Sequence, residues 1–160
     1  MAATSMPQIS LLVERLYADF PDLSFVIGDD FQWSPDTNTI THPRLTVIPD
    51  LQQLLHEISH AELGHTKYTR DIELIDMERQ AWSHASNTLG PRYGVDLTMD
   101  DDTVQDSLDS YRTWLHSRSS CPSCTAVGGQ ISQDTYRCLS CQQTWRVNQA
   151  KTCRLKRLKL

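Results

Sequence analysis

Apolar side chains recur every three to four residues in four stretches of the chain, and this spacing predicts four amphipathic helices. The stretches are residues 7–19, about 51–65, 70–89 and 102–117. Three consecutive aspartates at 100–102 place negative charge at the N-terminus of the last helix, where the helix dipole favours it.

Capping and turn-forming residues predict where these helices begin and end. Asp50 is the expected N-cap of the second helix, and Gly64 is expected to stop it. Gly90 and Pro91 are expected to end the third helix, because proline lacks the backbone N–H that a helix interior needs.

Short runs of β-branched and aromatic residues between the first two helices predict strands. Residues 24–28 form one run, and residues 31–33 and 39–42 flank a polar turn, which predicts a hairpin. Val47 and Ile48 are expected to add a short strand before the second helix. Helices that follow a small antiparallel sheet predict an α+β fold class.

The composition and the cysteine content exclude several classes of protein. The 160 residues are 39% hydrophobic, which is too many for a wholly disordered chain. No run approaches the roughly 20 apolar residues needed to cross a bilayer, so no membrane partner is expected. The N-terminus lacks the pattern of a secretory signal, and the 5 cysteines are an odd number. These features favour metal binding in the reducing cytoplasm over a secreted disulfide scaffold.

Charge divides the chain at about residue 118. Residues 1–118 contain 8 Lys and Arg and 19 Asp and Glu, a net charge of −11. Residues 119–160 contain 7 Lys and Arg and only Asp134, a net charge of +6, which gives −5 for the whole chain. Opposite charges indicate modules with different partners. We therefore expect one domain over 1–118, a small module over 119–148 and a mobile basic tail over 149–160.

The second predicted helix carries the motif HEISH at residues 56–60. Residues four apart lie one turn above the other on a helix, so His56 and His60 can reach the same metal ion. Glu57 lies about 100° round the helix, where its carboxylate can take a proton from a polarised water. The pattern also occurs by chance on exposed helices, but within an amphipathic helix it favours a zinc hydrolase.

A third ligand is expected on the following helix, at Glu78. Positions 75, 78, 81, 82 and 85 share one helix face, and all except Glu78 are apolar. A buried lone carboxylate is costly unless it is paired or binds a metal, although an arginine partner or a helix cap would also satisfy it. Glu73 and Asp76 lie off this face and are expected to be solvated. Three other residues compete for the ligand role: Glu62, His65 and His84. Thr66 occupies the place of the third histidine in the longer HExxHxxGxxH motif, which excludes that geometry.

The run HEISHAELGH, followed about a dozen residues later by MERQAWSHA, resembles the ImmA/IrrE family of intracellular metallopeptidases. The resemblance implies a minimal zincin-like domain with a gluzincin-type site. By position, it implies His56 and His60 as zinc ligands, Glu57 as the catalytic base and Glu78 as the third ligand. Trp82 stands where members often have Asn, which changes the surroundings of the ligands. Family members cut repressor or regulator proteins, so the resemblance implies a protein substrate.

Two CxxC pairs separated by thirteen residues predict a structural zinc site in a small β zinc ribbon. The four cysteines are Cys121, Cys124, Cys138 and Cys141. Gly128 and Gly129 are expected to form a turn, and Tyr136 and Trp145 are expected to cover the small core. A redox role is the alternative, but it needs only one pair and a βαβ context. Cys153 is left over as an expected free thiol.

Basic side chains cluster in the ribbon and the tail and could contact the phosphates of nucleic acid. The alternative is a protein-docking module with a solubilising tail, and the tail could also bind an acidic protein surface. The basic residues are Arg137, Arg146, Lys151, Arg154, Lys156, Arg157 and Lys159.

These features together predict a cytoplasmic zinc metallo-endopeptidase with one catalytic and one structural Zn²⁺. The hairpin at 31–42 is a candidate edge strand for an extended substrate. Candidate donors to the reacting carbonyl oxygen are Tyr68, His65, His84 and Tyr93. Two alternatives stay open. One is a SprT-like protease that acts on DNA-bound proteins, although that pattern uses a third histidine. The other is a non-catalytic zinc-binding regulator that binds nucleic acid or protein through the ribbon.

Overall fold

The structure is a computed structural model that describes residues 6–150 and 155–160. The described residues form an α+β fold of five helices, one π-helical turn and seven strands. The helices are α1 (Met6–Asp19), α2 (Ile48–Glu62), α3 (Asp71–His84), α4 (Gly90–Tyr93) and α5 (Asp102–Ser119), with the π-helical turn at Ala85–Leu89. The strands are β1 (Ser24–Ile27), β2 (Gln32–Ser34), β3 (Thr39–His42), β4 (Gly128–Ser132), β5 (Thr135–Cys138), β6 (Thr144–Val147) and β7 (Arg157–Lys159).

The described residues fall into two compact units. The first contains the residues up to Thr66 together with Met77–Gln105. The second contains Lys67–Asp76 and the residues from Asp106 onward. Most of α5 therefore groups with the cysteine-rich strands, whereas charge alone places the boundary near residue 118. Cys153 lies outside the described residues.

A three-stranded sheet in the first unit has the strand order β1-β3-β2. β2 and β3 pair antiparallel as the hairpin pattern predicts, with Trp33 opposite Ile40. β1 pairs with the other side of β3 in parallel, with Phe25 beside Ile40. Ile40 is fully buried because its strand lies in the middle of the sheet. β2 is left as an edge strand, and it packs against α2.

The second helix begins three residues earlier than the capping pattern predicts. The expected strand at Val47 and Ile48 is wrong, because Ile48 is the first residue of α2. Asp50 lies inside the first turn, where its carboxylate accepts the backbone N–H groups of Thr46 at 2.6 Å and Val47 at 3.0 Å. The expected stop is confirmed, because α2 ends at Glu62 and Gly64 follows with a φ of 66°.

The third helix continues past its expected end. The π-helical turn at Ala85–Leu89 links α3 directly to α4, so the predicted stop at Gly90 and Pro91 is wrong. Pro91 lies in the first turn of α4, directly after the π-helical turn. The helical path ends at Gly94, which has a φ of 68°.

The second unit contains an antiparallel sheet in the order β4-β5-β6-β7. Its small core holds stacked Tyr136 and Trp145 rings, whose centroids lie 5.7 Å apart. Gly128 and Gly129 open β4 instead of forming the expected turn. The expectation of a mobile tail is wrong for Arg157–Lys159, which pair with β6 as β7, because the free edge of β6 offers hydrogen bonds to them.

A buried ion pair anchors α5 within the second unit. Arg118 Nε donates to Asp71 Oδ2 at 2.5 Å, and both side chains are at most 2% exposed. The Tyr136 hydroxyl donates to the same carboxylate oxygen at 2.5 Å. Burial and this hydrogen bond raise the pKa of Tyr136. Within the described part of the chain, no helix combines the length and apolar character needed to span a bilayer.

Candidate metal centres

The HEISH segment lies in the buried middle of α2. His56, Glu57 and His60 are 3%, 9% and 7% exposed. The neighbouring Leu55 and Ile58 are fully buried, so this part of the helix is covered on more than one side. Because α2 is covered in this way, the metal-binding motif does not lie on an exposed helix, where chance occurrences of the pattern are expected.

Glu78 reaches the same place from α3. One carboxylate oxygen, Oε2, lies 3.0 Å from Nε2 of His56, and the other, Oε1, lies 3.5 Å from Nε2 of His60. The two histidine Nε2 atoms are 3.1 Å apart. These residues form a compact group that is able to hold a metal ion. The buried face of α3 includes Leu74, whereas Ile72 is 56% exposed.

The spacing of these three side chains fits zinc. Bonds of roughly 2.0–2.1 Å to nitrogen and oxygen in a tetrahedron place neighbouring ligand atoms about 3.3 Å apart. The observed separations of 3.0, 3.1 and 3.5 Å lie around this value. Two imidazoles and one carboxylate also match the ligand set of many catalytic zinc sites, which keep a further position open.

The charge state of Glu78 suits a ligand. Burial by itself would raise the pKa of this carboxyl group. Hydrogen bonds from His56 and His60, together with their charges, outweigh burial and hold the pKa of Glu78 well below its ordinary value. The carboxylate form, which binds metals, is therefore the favoured one.

The pKa of Glu57 is shifted in the opposite direction from that of Glu78. Burial raises its pKa, the two histidines lower it, and the nearby negative charge of Glu78 raises it again. A backbone hydrogen bond from Trp33 on the edge strand β2 also contacts this carboxylate. The net pKa of Glu57 lies above that of an ordinary glutamate, which is the direction expected for a group that accepts and then returns a proton.

Two different contacts hold the two histidine rings. The ring of His56 stacks on Trp82, with centroids 4.1 Å apart and an interplanar angle of 20°. The Nδ1 atom of His56 is buried without a hydrogen-bond partner among the residues that the structure describes. The Nδ1 atom of His60 instead lies 2.9 Å from Nδ1 of His65. Trp82 thus orients one ring by packing, and His65 orients the other by a hydrogen bond.

The residues that compete with Glu78 by sequence have other partners. Nε2 of His84 lies 2.7 Å from a carboxylate oxygen of Glu62. His65 contacts Nδ1 of His60, whereas Glu78 lies beside the other ring nitrogen of His60, Nε2. Glu73 is exposed and caps the start of α3 through the backbone of Thr69, and Asp76 is exposed as well. Of these carboxylates and histidines, Glu78 is the one that joins the histidine pair in the described structure.

Two of the candidate donors to a reacting carbonyl oxygen, Tyr93 and Tyr68, do not belong to the group formed by His56, His60 and Glu78. The Tyr93 hydroxyl donates to Asp19 at 2.8 Å. Tyr68 belongs to the second unit, where burial and the charge of Asp71 raise its pKa. No motif in the sequence points to Trp33 as a site residue. Its backbone hydrogen-bonds Glu57, and its indole N–H donates to the His65 carbonyl at 3.0 Å. Only the pairing of β2 brings Trp33 to this place.

The four predicted cysteines converge in the second unit. Sγ of Cys124 lies 3.5 Å from Sγ of Cys138 and 3.5 Å from Sγ of Cys141, and Sγ of Cys121 lies 3.6 Å from Sγ of Cys141. Zinc–sulfur bonds of about 2.3 Å in a tetrahedron give sulfur separations of about 3.8 Å. The backbone N–H of Cys141, with that of Ser140, lowers the pKa of Cys138 and favours the thiolate that binds metal. The cluster is compatible with a structural zinc site.

Comparison with known protein families, curated proteins and solved structures finds no match to this chain. The resemblance to the ImmA/IrrE family therefore stays a prediction that rests on the sequence around His56, His60 and Glu78.

Proposed function

We propose that this chain is a zinc-dependent endopeptidase related to the ImmA/IrrE metallopeptidases, with its catalytic site in the first unit. One observation carries the proposal. His56, His60 and Glu78 converge with atom separations of 3.0 to 3.5 Å, and buried Glu57 lies next to His56 in the sequence. A structural cluster would explain the three converging side chains, but it gives no role to a second buried carboxyl group, that of Glu57, whose pKa is raised.

Two histidines and one carboxylate would hold the zinc. Zinc bound there would polarise a peptide carbonyl and acidify the water that attacks it. Glu57 accepts the proton of that water and returns it to the leaving amine nitrogen. The burial that raises the pKa of Glu57 helps the second step, because it makes the protonated form accessible.

The edge strand β2 supplies a binding mode for an extended polypeptide. Its outer edge is free of other strands among the described residues, and the backbone of Trp33 contacts Glu57. A substrate segment that adds to this edge would run past the catalytic carboxylate, with main-chain hydrogen bonds providing affinity. This arrangement favours unfolded or flexible segments of a protein substrate, such as a linker in a regulator.

The test compares the wild type with Glu57→Gln, which removes the base but no proposed zinc ligand. Both proteins should contain about two zinc ions per chain, and His56→Ala should lose one of them. Incubation with a host-cell protein extract, followed by mass spectrometry of new N-termini, should show cleavage by the wild type alone. Cleavage that persists in Glu57→Gln would contradict the proposed mechanism.

The non-catalytic regulator gives a different result in the same measurements. It predicts one zinc ion per chain, retained in His56→Ala, and no new N-termini with either protein. The SprT-like alternative predicts cleavage that depends on added DNA. The glutamate beside the histidine pair favours the first proposal over that alternative, because the SprT pattern uses a third histidine in this place.

A further inference from the structure

The four-stranded sheet of the second unit has one buried and one exposed face. Side chains alternate along β5 and β6, and the buried set is Tyr136, Cys138, Trp145 and Val147. The alternate residues on the same strands are Thr135, Arg137, Thr144 and Arg146, and they project from the opposite face. Both arginines on this face are exposed.

Three cations form a diagonal row across this exposed face. Arg137 on β5 lies opposite Thr144 on β6, and Arg146 lies two residues further along β6. Arg146 in turn lies opposite Leu158 on β7. Lys156 precedes Leu158 by two residues. Its backbone makes hydrogen bonds with Asn148, so the pairing between β6 and β7 continues in the same register to Lys156. Diagonal neighbours in a sheet lie roughly 7–8 Å apart, so the three strands present positive charge at regular steps.

The part of the chain that carries the row, residues 119–160, contains little negative charge. Asp134 is the single acidic residue between positions 119 and 160, and it pairs with Arg146 at 3.3 Å. This pair is exposed and therefore weak, so it can exchange for another anion. The Thr144 hydroxyl lies beside Arg137 and can donate a hydrogen bond, whereas the Thr135 hydroxyl donates to Asp134 at 2.9 Å.

We infer that this face, formed by Arg137, Arg146, Lys156 and Thr144, binds the sugar–phosphate backbone of nucleic acid. A phosphodiester chain carries one negative charge per nucleotide at regular intervals, which matches a regular row of cations. Arginine, lysine and threonine are also side chains that contact phosphate oxygens. The row has no aromatic ring among its named members to stack on bases, so binding depends on charge and not on sequence. The inference is independent of the proposed peptidase activity.

The experiment measures fluorescence anisotropy of labelled 20-nucleotide DNA, single-stranded and duplex, with the full chain in 50 to 200 mM salt. The wild type should bind both, and affinity should fall steeply with salt. The double variant Arg137→Gln/Lys156→Gln should bind about tenfold or more weakly, with a shallower salt dependence, because each lost phosphate contact lowers the slope by roughly 0.7 to 0.9.

The matched control removes two cations elsewhere in the same unit. Arg112 on α5 and Lys67 in the segment before α3 are exposed and lie outside the sheet. Arg112→Gln/Lys67→Gln also removes two cations, so it has the same net charge as the test variant. This control should keep the affinity of the wild type to within about twofold. Both variants should retain the cysteine-bound zinc, which verifies the fold of the ribbon.

Three results would overturn the inference. The first is absence of DNA binding at 50 mM salt. The second is an equal loss of affinity in the test and control variants, which would indicate a general effect of net charge. The third is tighter binding to polyglutamate than to DNA at equal salt, which would assign the face to an acidic protein. Glu57→Gln should bind DNA like the wild type, so this test and the test of peptidase activity fail separately.

Discussion

The Nδ1 atoms of His60 and His65 lie 2.9 Å apart, and this hydrogen bond turns the Nε2 atom of His60 toward Glu78. Burial lowers the pKa of His65, as does the charge of His60, while a hydrogen bond with Gln80 opposes the shift. A neutral His65 has one donor and one acceptor nitrogen, so it can fix the tautomer and the orientation of the His60 ring.

The His65→Phe variant is therefore expected to weaken zinc binding at the first-unit site. Loss of such an orienting partner typically lowers metal affinity by about 10–100-fold. Competition with a chromophoric zinc chelator measures this affinity, and the cysteine-bound zinc serves as an internal reference. His84→Phe is the matched control, because His84 pairs with Glu62 and not with a proposed ligand. Equal affinity in the two variants would exclude an orienting role for His65.

The buried Asp71–Arg118 pair is expected to be essential for the stability of the second unit. Asp71→Asn leaves a buried guanidinium without its counter-charge, which typically costs about 3–5 kcal/mol. Asp109→Asn is the control, because the Asp109–Arg112 pair on α5 is more than half exposed and should be worth less than about 1 kcal/mol. Urea unfolding of both variants at neutral pH measures the difference. Similar losses of stability in Asp71→Asn and Asp109→Asn would contradict the conclusion that burial makes the Asp71–Arg118 pair important.

A pH dependence of stability is expected from Tyr93. Burial and the hydrogen bond to Asp19 raise the pKa of Tyr93 to about 12. The unfolded chain loses this proton near pH 10, whereas the folded chain keeps it until about pH 12. The contribution of Tyr93 is therefore fully present below pH 10 and is lost as the pH rises toward 12. Urea midpoints at pH 8 and pH 11.5 should fall less in Tyr93→Phe than in the wild type. An identical fall of the urea midpoint in the two proteins would show that groups other than Tyr93 cause the pH dependence.

Adjacent glycines in β4 are expected to differ sharply in their tolerance of a methyl group. A Cβ at Gly128 would overlap the ring of Trp145 and lie 2.8 Å from the Arg137 carbonyl oxygen. Its nearest neighbour at Gly129 would be Leu139, at an ordinary 3.9 Å. Overpacking of a small core typically costs about 1–3 kcal/mol, so Gly128→Ala should lower the melting temperature and speed the release of cysteine-bound zinc to a chelator. Gly129→Ala should change neither, and a reversed order would contradict the packing described.

The chemistry-bearing residues could be predicted from sequence because their spacing is local. Three residues separate His56 from His60 on one helix face, and two residues separate the cysteines of each CxxC pair. The hairpin of β2 and β3 was likewise marked by its turn composition. The sequence predicts Glu78 from its position on an apolar helix face, but only the structure shows that Glu62 pairs with His84 and that His65 contacts His60.

The helix boundaries show where local signals were insufficient. Gly90 and Pro91 form a strong stop signal, yet the chain continues through a π-helical turn because the first turn of α4 accommodates a proline. The basic residues at 157–159 have the composition of a solvated tail, yet they form β7 because β6 offers an unpaired edge. Neither a π-helical turn nor an available strand edge is encoded within a few residues.

The sequence by itself determined which side chains can bind metal, since a helical repeat and a two-residue turn place them at fixed separations. Tertiary structure alone decided which partners those side chains receive. Trp82 covers His56, His65 orients His60, and Asp71 neutralises Arg118 from 47 positions away in the chain. The physical reason is that burial and pairing depend on distances between remote segments, whereas periodicity describes only neighbours along one element.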